Sequence, residues 1–479
     1  MTRIAIENGT VVAPGGTVDA DLLIEDGRIA GILRRGEATA ADERIDAAGL
    51  VVLPGAIDAH THFIQDDPEA PPPNPDEYEG FANGGRAAAA GGVTTVVEMP
   101  QADQPTLSGE IFRKRVEWAG RDAIVDFALW GGVRQGLPMA DVDDQIAAGA
   151  AGFKAFMCDS DPTFPGIKDD QLLATLEHLR DTPYMLGLHA ESDALLQAGL
   201  DQMQREGRID PMAHPDSRPP IVEVEAVNRA IFFAEQTGGW VHIVHLSAPG
   251  AAELVRQGKA RGVRVTAETC PQYLALDHDD IRRLGGFAKC APAIRDRADV
   301  EALWDYLAAG VIDCITSDHC GFSAASKAAG RDNIWNAPNG LPGIQTLLPV
   351  FVSEARRRGF GWEQIAELTS TKPAELWHLD RRKGAIRVGN DADVVLLDPN
   401  RTWTVSPDEL LHTHHWTPFA GQELTGRVVR TILRGVTIYE DGTRSPSPFQ
   451  ASALRIRSVI TTYETRRMTS VRMTAIAAA

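Results

Sequence analysis

Gly55-Ala56-Ile57-Asp58-Ala59-His60-Thr61-His62 follows the apolar run Val51-Val52-Leu53 and decides how the remaining sequence is read. In an extended strand successive side chains point to opposite faces, so His60 and His62 share a face, with Asp58 one step earlier on it. Two imidazoles on one face can grip one metal ion. A His-x-His pair standing alone is more often packed or surface histidine than a metal site, so its meaning depends on what the chain places beside it.

Seven further strand-like runs follow, at 94–99, 126–131, 152–157, 185–190, 240–246, 264–269 and 313–318. Segments with helical spacing of apolar residues fall between most of them, as at 171–179 and 298–309. Eight strand-helix units predict an α/β fold, a closed (β/α)8 TIM barrel, in which reactive side chains sit at the carboxyl ends of the strands. His60, His62, Lys154, His189, His245 and Asp318 all fall at or near such ends.

The two ends of the chain have a different texture. Residues 1–54 carry short alternating strands broken by Asn8-Gly9, Gly15-Gly16 and Asp26-Gly27, and similar strands return at 393–398 and 428–435. The reading is a small β-sandwich built from 1–54 and 380–445, a barrel over 55–379, and a basic arm or tail over 446–479. The proline-rich stretch 66–76 reads as a loop above the barrel mouth, a lid or a plain surface loop.

The 479 residues carry a formal net charge of -19, which disfavours nucleic acid or anionic membrane as partner and points to a small molecule. No apolar run is long enough to span a bilayer and the first residues lack a signal-peptide core, so the expected location is the cytoplasm. Five scattered cysteines without a CxxC suit reduced thiols.

Lys154 stands among Phe153, Ala155, Phe156 and Met157, where an ammonium is costly to bury. It reads as a Schiff-base lysine, a snorkelling cation, or a lysine carbamylated by carbon dioxide; the carbamate, an anion able to bridge two metals, fits best beside histidines. Asp318 is placed to touch metal and to take a proton from an activated water. Asp58 is a candidate to orient an imidazole by accepting its second N–H. A rival cluster, His412-Thr413-His414-His415, lies in a connecting stretch and reads as a solvent-exposed or interface group. Cys320 adjoins His319, yet neighbours on a strand face opposite ways, so His319 cannot simply serve as its base.

Taken together, His60-Thr61-His62, Lys154, His189, His245 and Asp318 resemble the ligand set of the amidohydrolase superfamily, specifically its cyclic amidohydrolases: hydantoinases, dihydropyrimidinases, allantoinases and dihydroorotases. The resemblance implies two divalent ions, most often Zn2+, bridged by hydroxide and by Lys154 as N6-carboxylysine. It assigns one ion to His60, His62 and Asp318 and the other to His189 and His245. It implies hydrolytic opening of an endocyclic amide, with Asp318 as the catalytic proton relay, and a homotetramer. Dihydroorotases carry an arginine just after the His-x-His, where this chain has Phe63-Ile64-Gln65. Hydantoinases carry a tyrosine where this chain has Asp159, and that segment, through Phe164-Pro165, together with Glu77-Tyr78-Glu79-Gly80-Phe81, looks more like allantoinases. Arg331-Asp332 and Pro338-Asn339-Gly340 look like hydantoinases. Cys290, Ala291, Asn339 and Ser160 are the ring contacts this implies. The expected substrate is a hydantoin- or allantoin-like ring; a dihydropyrimidine, or a non-catalytic scaffold role on the same fold, are the alternatives.

Overall fold

The structure is a computed structural model that describes residues 2–38, 41–64, 67, 75–159 and 163–442. The proposed tail at 446–479, most of the 66–76 stretch and Ser160 lie outside the described residues. Five strands open the chain: β1 (Arg3–Ala13), β2 (Gly16–Glu25), β3 (Arg28–Leu33), β4 (Glu43–Asp46) and β5 (Val51–Pro54). The next ten are β6 (Ala56–His62), β7 (Val93–Glu98), β8 (Asp126–Leu129), β9 (Gly131–Gly132), β10 (Phe153–Phe156), β11 (Leu186–His189), β12 (Val241–Ile243), β13 (Val265–Thr269), β14 (Cys314–Ile315) and β15 (His319–Cys320). Three close it: β16 (Val394–Thr404), β17 (Glu423–Leu433) and β18 (Val436–Glu440).

The strands of the two ends form one eight-stranded sheet, in the order β18-β17-β16-β5-β1-β2-β3, with β4 also on β1. Buried apolar residues of β1 and β2 join those of the closing strands in an apolar cluster of this sheet's own, around Ile6, Val11, Leu22, Ile24, Val394 and Ile432. Val51–Pro54 belongs to this sheet while Ala56–His62 pairs with β7, so the sequence-predicted run 51–62 is two strands. Gly55 is the turning point: a side chain there would collide with Thr94.

The middle strands pair in parallel, and their ladders run in a circuit. β6 pairs with β7 and β7 with β8; one residue later the same chain segment, now β9, pairs with β10. From β10 the ladders continue through β11, β12 and β13 to β14, and three residues on, β15 pairs back onto β6. Trp130, between β8 and β9, donates from its indole to the Ala59 carbonyl at 2.9 Å and meets Trp377 edge-on.

At the amino-terminal ends of the staves, charge ties the ring to the end sheet. Lys383 is buried with its ammonium 2.5 Å from Asp126, the first residue of β8, and 2.6 Å from Asp393, just before β16. Asp391 lies 3.6 Å away, and Arg434 pairs with Asp126. Burial disfavours the Lys383 cation, but the Asp393, Asp126 and Asp391 carboxylates outweigh it and hold its pKa above the usual lysine range. Breaking a buried ion pair from one side strands the remaining charge. Lys383→Met should therefore lower stability by about 3–5 kcal/mol, read by urea unfolding; a loss below about 1 kcal/mol would show that the cluster behaves as a surface pair.

Candidate metal and substrate site

At the opposite, carboxyl-terminal ends of the staves the six sequence-predicted residues meet. His60 and His62 are at the end of β6, Lys154 within β10, His189 ends β11, His245 follows β12, and Asp318 sits in the turn between β14 and β15. Asp318 and His245 take positive φ, 51° and 40°, in the left-handed region that L side chains adopt only under local constraint. The turn aims Asp318 Oδ1 at His60 Nε2, 3.1 Å, and at His62 Nε2, 3.3 Å. Beside this trio, His189 Nδ1 faces His245 Nε2 at 2.9 Å, and the His60 and His245 rings are 5.4 Å apart. Lys154 is fully buried, its ammonium 4.7 Å from the centre of the Phe156 ring.

Two carboxylates fix the outward nitrogens of this set. Glu268, in β13, accepts from His60 Nδ1 at 2.5 Å and also lies 3.2 Å from His242 Nε2. Glu191 faces His189 Nε2 at 2.8 Å and takes an Arg218 N–H at 2.9 Å. Such carboxylate–imidazole pairs set the tautomer that leaves the other ring nitrogen free for a metal. Neither glutamate was singled out in the sequence, although each stands at a strand end like Asp318, and Glu191 follows His189 by two residues. Asp58, expected to orient an imidazole, accepts main-chain N–H groups instead, from Ser317 at 3.0 Å and His60 at 3.2 Å. Thr61, on the other face of β6, donates to the buried Glu98 at 2.6 Å, so both faces of the histidine strand are pinned.

The electrostatics follow from burial and crowding. Burial pushes Lys154 down to about 8 against the pull of Asp318 and Glu268, which brings its free amine within reach near neutral pH. Burial alone would neutralise His60, but Asp318 and Glu268 raise it to about 9. Burial likewise works against the Asp318 anion, and His60 with His62 and His245 overcomes it and holds the carboxyl well below its ordinary range. His60 Nε2 is buried without a well-formed hydrogen bond and faces the same Asp318 oxygen as His62 Nε2. The donor set, imidazoles with one carboxylate, suits a borderline divalent ion.

These groups open onto a cavity of about 610 Å³. Of the expected ring contacts, Ala291 and Asn339 line it and Cys290 does not. The Cys290 carbonyl is taken by His214 Nε2 at 2.8 Å and its thiol points at the Pro292 carbonyl. Asp159 accepts from the Gly166 amide at 2.9 Å and is absent from the wall, while Tyr78, Gln101, Thr163 and Lys289 are in it. Cys320 also lines the cavity, with burial raising its thiol well above the ordinary value. The rival His412 is buried rather than exposed, with its ring 5.9 Å from that of His319. Among the described residues the metal-capable clusters are His60, His62 and Asp318; Cys158, His189 and Glu191; and Asp126, Asp391 and Asp393, the last already filled by Lys383. No described helix is long and apolar enough to cross a membrane.

Similarity to known proteins extends along nearly the whole chain. An allantoinase from Rubrobacter xylanophilus is 40% identical over 442 residues, 92% of this chain and 94% of that one. An L-hydantoinase from Paenarthrobacter aurescens is 33% identical over 446 residues, 92% of this chain and 95% of that one. The solved L-hydantoinase (dihydropyrimidinase) from Arthrobacter aurescens superposes with a TM-score of 0.88 at 33% identity, over 92% of this chain and 97% of that one. Residues 51–438, from the strand before the histidine pair to the last strand of the end sheet, match the Amidohydrolase family, and the chain belongs to it.

Proposed function

We propose that this chain is a metal-dependent enzyme that hydrolyses the endocyclic amide of a cyclic ureide or imide, a hydantoin- or allantoin-like ring. The observation that carries the reading is the convergence, in one cavity, of His60 and His62 on Asp318 and of His189 on His245, with the buried amine of Lys154 among them. His60, His62 and Asp318 would hold one divalent ion, His189 and His245 a second, and Lys154, carboxylated on its amine by carbon dioxide, would be the ligand common to both. Zinc suits this donor set. The ions would supply an activated water and polarise the ring carbonyl.

The chain's own residues do the rest. Glu268 and Glu191 hold the imidazoles in one orientation. Asp318 accepts the proton of the attacking water and delivers it to the leaving ring nitrogen. Main-chain groups near Ala291 and Asn339 offer donors and acceptors to the ring amide. Ser160, the remaining expected ring contact, stays part of the reading from its place in the sequence. The architecture proposed around this site is a (β/α)8 barrel over 55–379, formed by the ladder circuit, with a β-sandwich from 1–54 and 380–445 and an arm from 446. A homotetramer rests on the resemblance alone, and a cytoplasmic location on the sequence reading. A dihydropyrimidine ring is the second reading, favoured by the likeness to the L-hydantoinase (dihydropyrimidinase) structure.

Ring opening assayed in parallel on hydantoin, 5-substituted hydantoins, allantoin, dihydrouracil and dihydroorotate, with metal measured on the same sample, should show turnover of a hydantoin or allantoin and two ions per chain. Metal-loaded protein inert towards all of them would overturn the reading. Lys154→Ala should remove at least about 10³-fold of activity and bring bound metal below two; full activity at unchanged metal content would exclude the carbamate. Glu268→Gln should weaken metal binding by about 10–100-fold in a chelator competition, and an unchanged affinity would show that His60 needs no carboxylate to orient it.

A further inference from the structure

Two stretches of the cavity wall, 288–291 and 337–340, contribute Lys289, Ala291, Ala337, Pro338, Asn339 and Gly340. Neither is a strand or an α-helix, and their direct main-chain bond is Gly340 N–H to the Lys289 carbonyl at 3.1 Å. What joins them is Lys327, from the short helix Ala324–Ala328 behind the wall. It is completely buried and is not part of the wall itself. Its ammonium donates to three carbonyl oxygens, those of Lys289, Pro338 and Gly340, each at 2.8 Å. Lys289 answers with its own ammonium, which donates to the Ala337 carbonyl at 2.5 Å. The rings of Phe322 and Trp416 lie 5.9 Å from the Lys327 nitrogen and close its remaining sides.

A lysine ammonium has three donors, and here all three go to carbonyls of the two stretches. Burying a cation with no carboxylate among these three acceptors is an expensive way to fill a core, since an apolar side chain of the same length would fill the space without desolvating a charge. What the cation provides and a methionine would not is a fixed separation between three main-chain carbonyls. Two of them flank Asn339, the wall residue read above as a ring contact.

We propose that Lys327 is a positioning residue for ring recognition: it holds the 288–291 and 337–340 stretches in register, so that substrate binding depends on it while metal binding does not. This rests on the cyclic-amide reading for the identity of the ligand, but the clamp itself is a statement about the backbone and can be tested without turnover.

Lys327→Met and Lys327→Gln, the latter retaining two donors, would be compared with the unaltered, metal-loaded chain by three readouts. In Lys327→Met, amide hydrogen exchange in peptides covering 286–292 and 336–342 should quicken by on the order of tenfold or more, with peptides from β11 and β12 unchanged, and Lys327→Gln should fall between. Metal content should stay at the unaltered level. On whichever ring the unaltered enzyme opens, KM should rise by about tenfold or more with kcat changed less than about threefold. Unchanged exchange in the two stretches overturns the clamp, as does exchange that quickens equally across the staves, which would make Lys327 an ordinary core residue. A local rise in exchange in a protein that opens no cyclic amide would uphold the clamp and defeat the functional reading instead.

Discussion

The main-chain N–H of Ser317 donates to the Asp58 carboxylate at 3.0 Å, joining residues 259 positions apart. With that bond, and the β15 to β6 ladder next to it, the last stave meets the first. The same Asp58 oxygen takes the His60 amide, so one carboxylate sets the backbone that presents the histidine pair and the backbone that presents Asp318. The positive φ at Asp318 is tolerated because both flanks of the turn are held. Little solvent reaches the seam: Asp58 is completely buried, and burial pushes its carboxyl up to about 7 in spite of these amides. Three ligand candidates depend on a contact in which no ligand side chain takes part.

Around that seam the polar groups are ordered outward. The inner layer is the imidazoles, Asp318 and the Lys154 amine. Behind it stand Glu268, which faces His60 and His242 and takes the His245 amide, and Glu191, which faces His189 and takes Arg218. Burial opposes both anions, but the charges facing them, His60 at Glu268 and Arg218 at Glu191, keep both carboxyls well below their ordinary range. A carboxylate so held remains an acceptor, which is what an imidazole N–H needs from it.

Much of this was legible in the sequence because strand alternation and strand ends are properties of short segments. The His-x-His spacing put two imidazoles on one face, and apolar runs interrupted by His189, His245 and Asp318 marked where the staves stop. What escaped depends on tertiary neighbours. Glu268 and Asp58 are both acids in strands, and nothing local says that Glu268 would reach the His60 ring while Asp58 would turn to amides. Cys290 sits between two residues of the cavity wall, and only the path of its loop decides that its carbonyl goes to His214. His412 looked exposed because its stretch is a connection, yet the chain folds that connection over His319. Lys327 gave no periodic signal at all: its meaning lies in three carbonyls that become neighbours only once the chain is folded.

The Lys383 cluster and the histidine set occupy opposite ends of the same staves. This ion cluster thus ties the ring to the end sheet where no ligand candidate lies, while the cavity at the other end is lined largely by loops. Over evolutionary time such a division gives the loops latitude: insertions and exchanges at the mouth can retune which ring is accepted without loosening the frame. Relatives that go by the names of different cyclic substrates each match this chain along 92% of its length.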